Sequence, residues 1–170
     1  MSSNWSDEIH RALRDLNVRQ VAYVPDTGLK RLIELVRADK RMRAVPLTTE
    51  EEGIALATGA WLAGERSALF LQSSGVGNCI NMLGMAIECR IPLPMLVTMR
   101  GQWGEFNPWQ LPMAQATEPV LSAMGVIVQP VSDVDDVAAT FAAAGRMAFN
   151  TNRVVAVQVA QRVVGTKEFK

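Results

Sequence analysis

The sequence predicts an α/β fold: a mostly parallel six-stranded sheet flanked by helices on both faces. Three observations predict it. Short β-rich runs alternate along the chain with stretches whose apolar residues follow the 3.6-residue helical period. The runs are apolar without polar alternation, as in "SALFLQ" (67–72), which suits strands covered by helices on both sides. A chain of 170 residues, 49% apolar and 20% charged, has material for one sizeable core. No internal repeat, low-complexity tract or linker divides it, so a single domain over 1–170 is expected.

The elements follow in order. Residues 6–16 read as an amphipathic helix, with Ile9, Leu13 and Leu16 on one side. "QVAYVPD" (20–26) is a strand ended by Pro25, and 28–39 is a helix carried by Leu29, Leu32, Ile33 and Val36. "RAVPL" (43–47) is a strand, followed by the helix "TTEEEGIALATGAWLAG" (48–64). After strand 67–72 come a glycine loop, "SSGVGN" (73–78), and a helix over 79–88. "PMLVTM" (94–99) is a strand, and "RGQWGEFNPWQLP" (100–112) a long loop. A short helix over about 117–124 precedes strand 126–131. The next helix opens at Ser132, with Asp133, Asp135 and Asp136 in its first turns, where the helix dipole favours acids. Strand 154–159 closes the sheet.

Composition removes several function classes. Lys plus Arg number 17 and Asp plus Glu number 17, so charge makes no case for a nucleic-acid or membrane-surface partner. No stretch reaches the roughly 18 uncharged apolar residues of a membrane span, and the polar, charged N-terminus does not read as a secretory signal. Cys79 and Cys89 fall in one helical stretch, so buried free thiols in a cytoplasmic protein are expected rather than a disulfide. No His, Cys or Asp cluster has metal-ligand spacing, so no metal site is expected on this chain.

In sheets of this class ligands bind beyond the C-terminal ends of the strands. Four loops occupy that edge: "VPDTG", "LTTEEE", "QSSGVGN" and "RGQWGEFNP". In the second, Thr49 and Glu52 have the T-x-x-E spacing of a capping box, and Glu51 is expected to be solvated. Glu50 shares a helix face with Gly53, Ile54, Ala57 and Trp61. The helix has no polar side, which implies burial all round, part of it against a second chain. Glu50 is therefore either an ordinary acidic first-turn residue or a carboxylate held in an apolar interface to exchange a proton with a ligand. "SSGVGN" matches neither a P-loop nor a dinucleotide fingerprint. Gly75 and Gly77 are close-approach glycines or parts of a plain turn. Arg100, with Glu105 close behind, is a solvated ion pair or a fork-shaped anion clamp. Asp26 is a turn and cap residue or a participant in proton handling. Trp103 and Trp109 read as lid or interface packing, and His10, the single histidine, as a surface residue.

These motifs resemble the pyrimidine-binding (Pyr) domain of thiamine-diphosphate (ThDP) enzymes. In that family a glutamate opens a helix with a glycine nine residues on; Gly59 in "ATGAW" stands nine after Glu50. "VPDTGL", "SSGVGNCINML", "IPLPMLVTMRGQWGE" and "QLPMAQAT" are similar, in order, to segments of phosphonopyruvate and sulfopyruvate decarboxylases. The resemblance implies that Glu50 bonds the N1′ nitrogen of the cofactor's aminopyrimidine. It implies that Gly75, Gly77 and Asn78 lie beside the pyrimidine end, that Asp26 handles protons near the thiazolium, and that Arg100 and Glu105 meet a small anionic 2-oxo acid. The family's other half is a diphosphate-binding (PP) domain with a "GDG" start and a later Asn that hold Mg²⁺. No "GD" dipeptide occurs here, so a separate PP (beta) subunit is expected, in an α2β2 or larger hetero-oligomer. Sulfopyruvate decarboxylases are often split in this way, so the resemblance implies the Pyr subunit of such an enzyme. Another split 2-oxo-acid decarboxylase is the alternative, and a non-catalytic binding or regulatory module of the same fold is the rival of a different class.

Overall fold

The computed structural model describes residues 4–166. Helix α1 (Trp5–Asp15) is capped by Asn4, whose side chain accepts from the Ser6 N–H, and carries Asp7 and Glu8 in its first turn and Arg14 in its last, as the dipole favours. It leads into β1 (Val18–Tyr23). A 3₁₀ turn (Thr27–Leu29) then passes into α2 (Lys30–Ala38), followed by β2 (Arg43–Pro46) and α3 (Glu51–Leu62). The chain continues through β3 (Arg66–Gln72), α4 (Ser73–Glu88), β4 (Leu93–Thr98) and α5 (Gln110–Ala123). It ends with β5 (Ile127–Val131), α6 (Val137–Thr151), β6 (Val154–Val159) and the short α7 (Gln161–Val164).

All pairings are parallel, in the order β2-β1-β3-β4-β6-β5. Two cores result. Ile9, Leu13, Leu32, Val36, Phe141 and Ala144 from α1, α2 and α6 cover one face. Ile54, Ala57, Val76, Leu83, Ala86 and Leu121 from α3, α4 and α5 cover the other. The central strands are buried throughout, which is why they read as unbroken apolar runs. The chain runs to one side of β1 through β2 and returns to the other side at β3. The loops after β1 and β3 therefore part company at a topological switch point, where sheets of this kind place their ligands.

Four sequence expectations need correction. "SSGVGN" is not a loop: Ser73–Asn78 form the opening of α4, six residues ahead of the expected start. Glycine reads as a turn former because it costs about 1 kcal/mol in a helix; here a contact with Glu50, described below, requires it. Helix α5 starts at Gln110 rather than near 117, because Pro112 stands among the first residues, whose N–H groups have no acceptor within the helix. The capping box is half formed. Glu52 Oε2 accepts from the Thr48 N–H at 2.9 Å, while the Thr49 hydroxyl donates to Glu51 instead of accepting from Glu52. Glu51 is thus engaged, not merely solvated. Finally, His10 is only 14% exposed by side chain, with Nε2 3.0 Å from Asp39 Oδ2. Arg14 Nε donates to the same oxygen at 2.6 Å, and Arg41 N–H donates to Oδ1. This cluster ties α1 to the end of α2 and holds the Asp39 carboxyl well below its ordinary range, chiefly through Arg14.

The α3 helix is buried on one side only. Gly53, Ile54, Ala57 and Ala60 face the sheet, and a Cβ on Gly53 would lie 2.4 Å from Leu69 Cδ1. Ala55, Gly59 and Leu62 face outward, Leu62 being 79% exposed. Among the described residues no helix is long and apolar enough to cross a membrane.

Candidate active site

The C-terminal ends of β1, β3 and β4 meet at Asp26. Its side chain caps the 3₁₀ turn by accepting from Gly28 N–H at 3.2 Å. It also accepts from Gln72 Nε2 at 3.1 Å and from Thr98 Oγ1 at 3.0 Å. Ser74 Oγ extends the chain by donating to Gln72 Oε1. Asp26 thus serves as the cap residue and is half-buried at the meeting of three strands.

Glu50 stands on the other face of the sheet, at the mouth of α3, 8% exposed. Asn78 Nδ2 donates to its Oε2 at 2.8 Å; among the described residues Oε1 has no hydrogen-bond partner. The carboxylate lies against Gly75, where a Cβ would come 2.3 Å from Oε1 and 2.5 Å from Cγ. Gly75 therefore clears the space that Glu50 occupies. Gly77 does no such service among the described residues, since a Cβ there would make ordinary contact with the Met113 side chain, Sδ at 3.5 Å and Cε at 3.7 Å. Beneath Glu50, burial and the Glu50 charge push the Cys79 thiol up to about 12, which keeps it protonated; Cys89, also expected to be buried, is exposed at the C-cap of α4.

Arg100 and Glu105 form a bidentate pair. Nε donates to Oε2 at 2.7 Å and Nη2 to Oε1 at 2.6 Å, with the side chains 7% and 2% exposed. The pair is buried, not solvated, and the fork of Arg100 is filled by Glu105, leaving Nη1. Glu105 also accepts from the N–H groups of Gly101 and Asn107 and from Gln161 Nε2. The arginine foremost, aided by these donors, holds its carboxyl at about 2, against an ordinary 4.5. Arg100 N–H donates to the buried Ser73 Oγ, which joins this loop to the start of α4. Arg100, Asp26, Gly28 and Val164 line a cavity of about 40 Å³.

The geometry sorts the residues singled out from the sequence. Glu50, Gly75 and Asn78 come together on one face. Asp26, Arg100 and Glu105 gather on the other side of β3's end. Trp103, Phe106 and Trp109 are exposed on the loop, Trp109 at 85%. Sequence reasoning gave no role to Gln72, Ser73 and Thr98, common polar residues inside quoted motifs, or to Gln161, which lies in none; all four become visible only through their partners. Among the described residues no group of three or more His, Cys, Asp or Glu could hold a metal ion.

A six-stranded parallel sheet with helices on both faces, presenting a buried carboxylate against a helical glycine at its C-terminal edge, is an α/β domain of the doubly wound class. The family description "Thiamine pyrophosphate enzyme, N-terminal TPP binding domain" matches residues 3–105, and the chain belongs to that family. The sulfopyruvate decarboxylase subunit alpha of Methanococcus maripaludis is 36% identical over 124 residues, covering 72% of this chain and 74% of that protein. The protein of the same description from Methanothermobacter thermautotrophicus is 35% identical over 127 residues, covering 74% and 77%. Among solved structures, the 2-oxoglutarate:ferredoxin oxidoreductase from Magnetococcus marinus superposes with a TM-score of 0.76 over 95% of this chain and 29% of that one. At 19% identity this likeness concerns the fold.

Proposed function

We propose that this chain is the Pyr (alpha) subunit of a ThDP-dependent 2-oxo-acid decarboxylase acting on 3-sulfopyruvate, which it converts to sulfoacetaldehyde and CO₂. One observation carries the reading. Glu50 is a buried carboxylate with one oxygen fixed by Asn78 and the other unmet. That second oxygen is not sealed in the core but reaches the surface of the chain, where it is open to a donor that a ligand brings. The protonated N1′ nitrogen of an aminopyrimidine ring is such a donor, and the Gly75 cradle fits a carboxylate aimed in one direction. The two alpha-subunit relatives support the substrate.

The cofactor, when bound, supplies a thiazolium carbon that serves as nucleophile and electron sink. This chain's residues do the rest of the work assigned to it. Glu50 Oε1 would hold the proton at N1′, a bond that strengthens where the assembled site excludes water. Asn78 and Gly75 keep the carboxylate from rotating. Asp26, steadied by Gln72 and Thr98, stands where a proton is to be handled. Arg100 presents Nη1 toward the substrate's distal anion. A partner PP subunit holds Mg²⁺ and the diphosphate, in a cytoplasmic hetero-oligomer. The exposed Leu62, Ile80, Trp109 and Leu111 support this, since apolar surface left outside a core marks an interface.

The test is co-expression with a GDG-containing partner, followed by CO₂ release from sulfopyruvate, phosphonopyruvate and pyruvate at saturating ThDP and Mg²⁺. Preference for sulfopyruvate is the expected result. Preference for phosphonopyruvate would move the substrate, and no release from any of the three would leave a non-catalytic module.

A further inference from the structure

We propose that Gln161, on the short helix that follows β6, is a positioning residue that latches the Arg100–Glu105 loop; its bearing on substrate rests on the reading above. Gln161 lies outside the stretch matched by the family description, residues 3–105. It is 1% exposed; its side-chain amide and its backbone N–H serve one loop, while its C=O accepts from Gly165 N–H. Its Oε1 accepts from the N–H groups of Gln102 at 2.8 Å and Trp103 at 3.0 Å. Its Nε2 donates to Glu105 Oε2 at 3.0 Å, the oxygen that Arg100 Nε also reaches. Its backbone N–H donates to Gln102 Oε1, so the two glutamines bind each other reciprocally.

Neighbouring residues add to the latch. The Arg162 guanidinium lies 5.3 Å from the centroid of the Trp103 ring. A Cβ on Gly104 would come 3.0 Å from Thr166 Cγ2, and one on Gly28 would come 3.3 Å from Val164 Cβ. Residues 161–166 are therefore wedged between the loop that carries Asp26 and the loop that carries Arg100, and with both they line the 40 Å³ cavity. Only a primary amide meets the demands placed on Gln161. It must accept from two backbone N–H groups and donate to a carboxylate at once. A carboxylate there would face Glu105 with like charge, and an apolar side chain would strand two donors. The consequence is a relay in which Gln161 orients Glu105, and Glu105 orients the guanidinium that borders the cavity.

The experiment uses the full chain in its reconstituted complex and two variants. Gln161→Met removes both halves of the latch. Gln161→Glu keeps the acceptor for the loop amides but loses the donor to Glu105. In Gln161→Met, hydrogen exchange at the Gln102 and Trp103 amides and at Arg100 Nε–H should accelerate by about tenfold or more while β3 and β4 stay protected. In Gln161→Glu the two amides should stay protected and only Arg100 Nε–H should accelerate. With the loop displaced, the KM for sulfopyruvate should rise by about tenfold in Gln161→Met, with kcat within about twofold, since Glu50 lies on the other face. Unchanged exchange at the loop in Gln161→Met would overturn the proposal. So would acceleration across the whole sheet, which marks a merely structural residue, or a loosened loop with an unchanged KM. If the wild-type complex fails to release CO₂, the decarboxylase reading falls, and the latch stands or falls on the exchange pattern of the two variants alone.

Discussion

At the N-terminal end of the sheet, Asp39 is met by Arg14, by His10 and by the Arg41 N–H. Toward the C-terminal end, Glu50 is met by one amide from Asn78. The two residues are equally buried, at 8% exposure. Burial therefore does not separate the structural acid from the reactive one; the supply of donors does. Glu105 sharpens the point. It lies at the same end of the sheet as Glu50, yet it resembles Asp39, with an arginine fork, two backbone N–H groups and Gln161 around it. A saturated carboxylate has its low pKa already committed to the fold. An undersaturated one keeps a lone pair for a ligand.

The largest expected effect breaks this comparison at Glu50. Glu50→Gln should lower turnover of the reconstituted complex by about 100-fold or more. Its thermal stability should match or exceed wild type, because a carboxylate short of donors is neutralised. A fully active Glu50→Gln would remove Glu50 from the chemistry.

Glu105 should behave in the opposite way. Glu105→Gln leaves Arg100 buried without its counter-charge and should cost about 3 kcal/mol of stability in a denaturant titration. The same contrast appears with pH. A carboxyl held at about 2 in the fold against an ordinary 4.5 contributes stability that is complete above pH 4.5 and drains away as pH falls toward 2. Asp39, also depressed, acts in the same direction. Melting temperature should therefore fall below pH about 4.5, and Glu105→Gln should flatten that slope. A slope unchanged in Glu105→Gln would assign acid lability to other groups.

A smaller effect sharpens the geometry. Gly75→Ala places a methyl group 2.3 Å from Glu50 Oε1, so the carboxylate must swing away from its present direction. Turnover should fall by about tenfold even though alanine raises helix propensity by about 1 kcal/mol. Wild-type turnover would show that the direction of Glu50 is unimportant. The smallest effects are the adjacent controls. Glu51→Gln and Glu52→Gln should each change turnover by less than about twofold, and stability by about 0.5 kcal/mol or less, since glutamine still accepts from Thr49 or Thr48. A dead Glu51→Gln would shift the reactive position by one residue.

The order of elements, the parallel sheet and the placing of Glu50 ahead of Gly59 were legible in the sequence, because apolar periodicity and strand composition are local properties. The same locality explains the misreadings. Gly75 looks like a turn until Glu50, twenty-five residues earlier, is seen to fill the space of its missing side chain. His10 looks solitary until Asp39 arrives from the far end of α2. Arg100 reads as a solvated ion pair or an open anion clamp until Glu105 is seen to fill its fork with both side chains buried, and Gln161 carries no motif at all. Which acid keeps an unmet oxygen depends on donors that come from distant parts of the chain. Periodicity decides that a segment is a helix or a strand, but only tertiary packing decides which partners reach a given side chain, and that partner list separates Glu50 from Asp39 and Glu105.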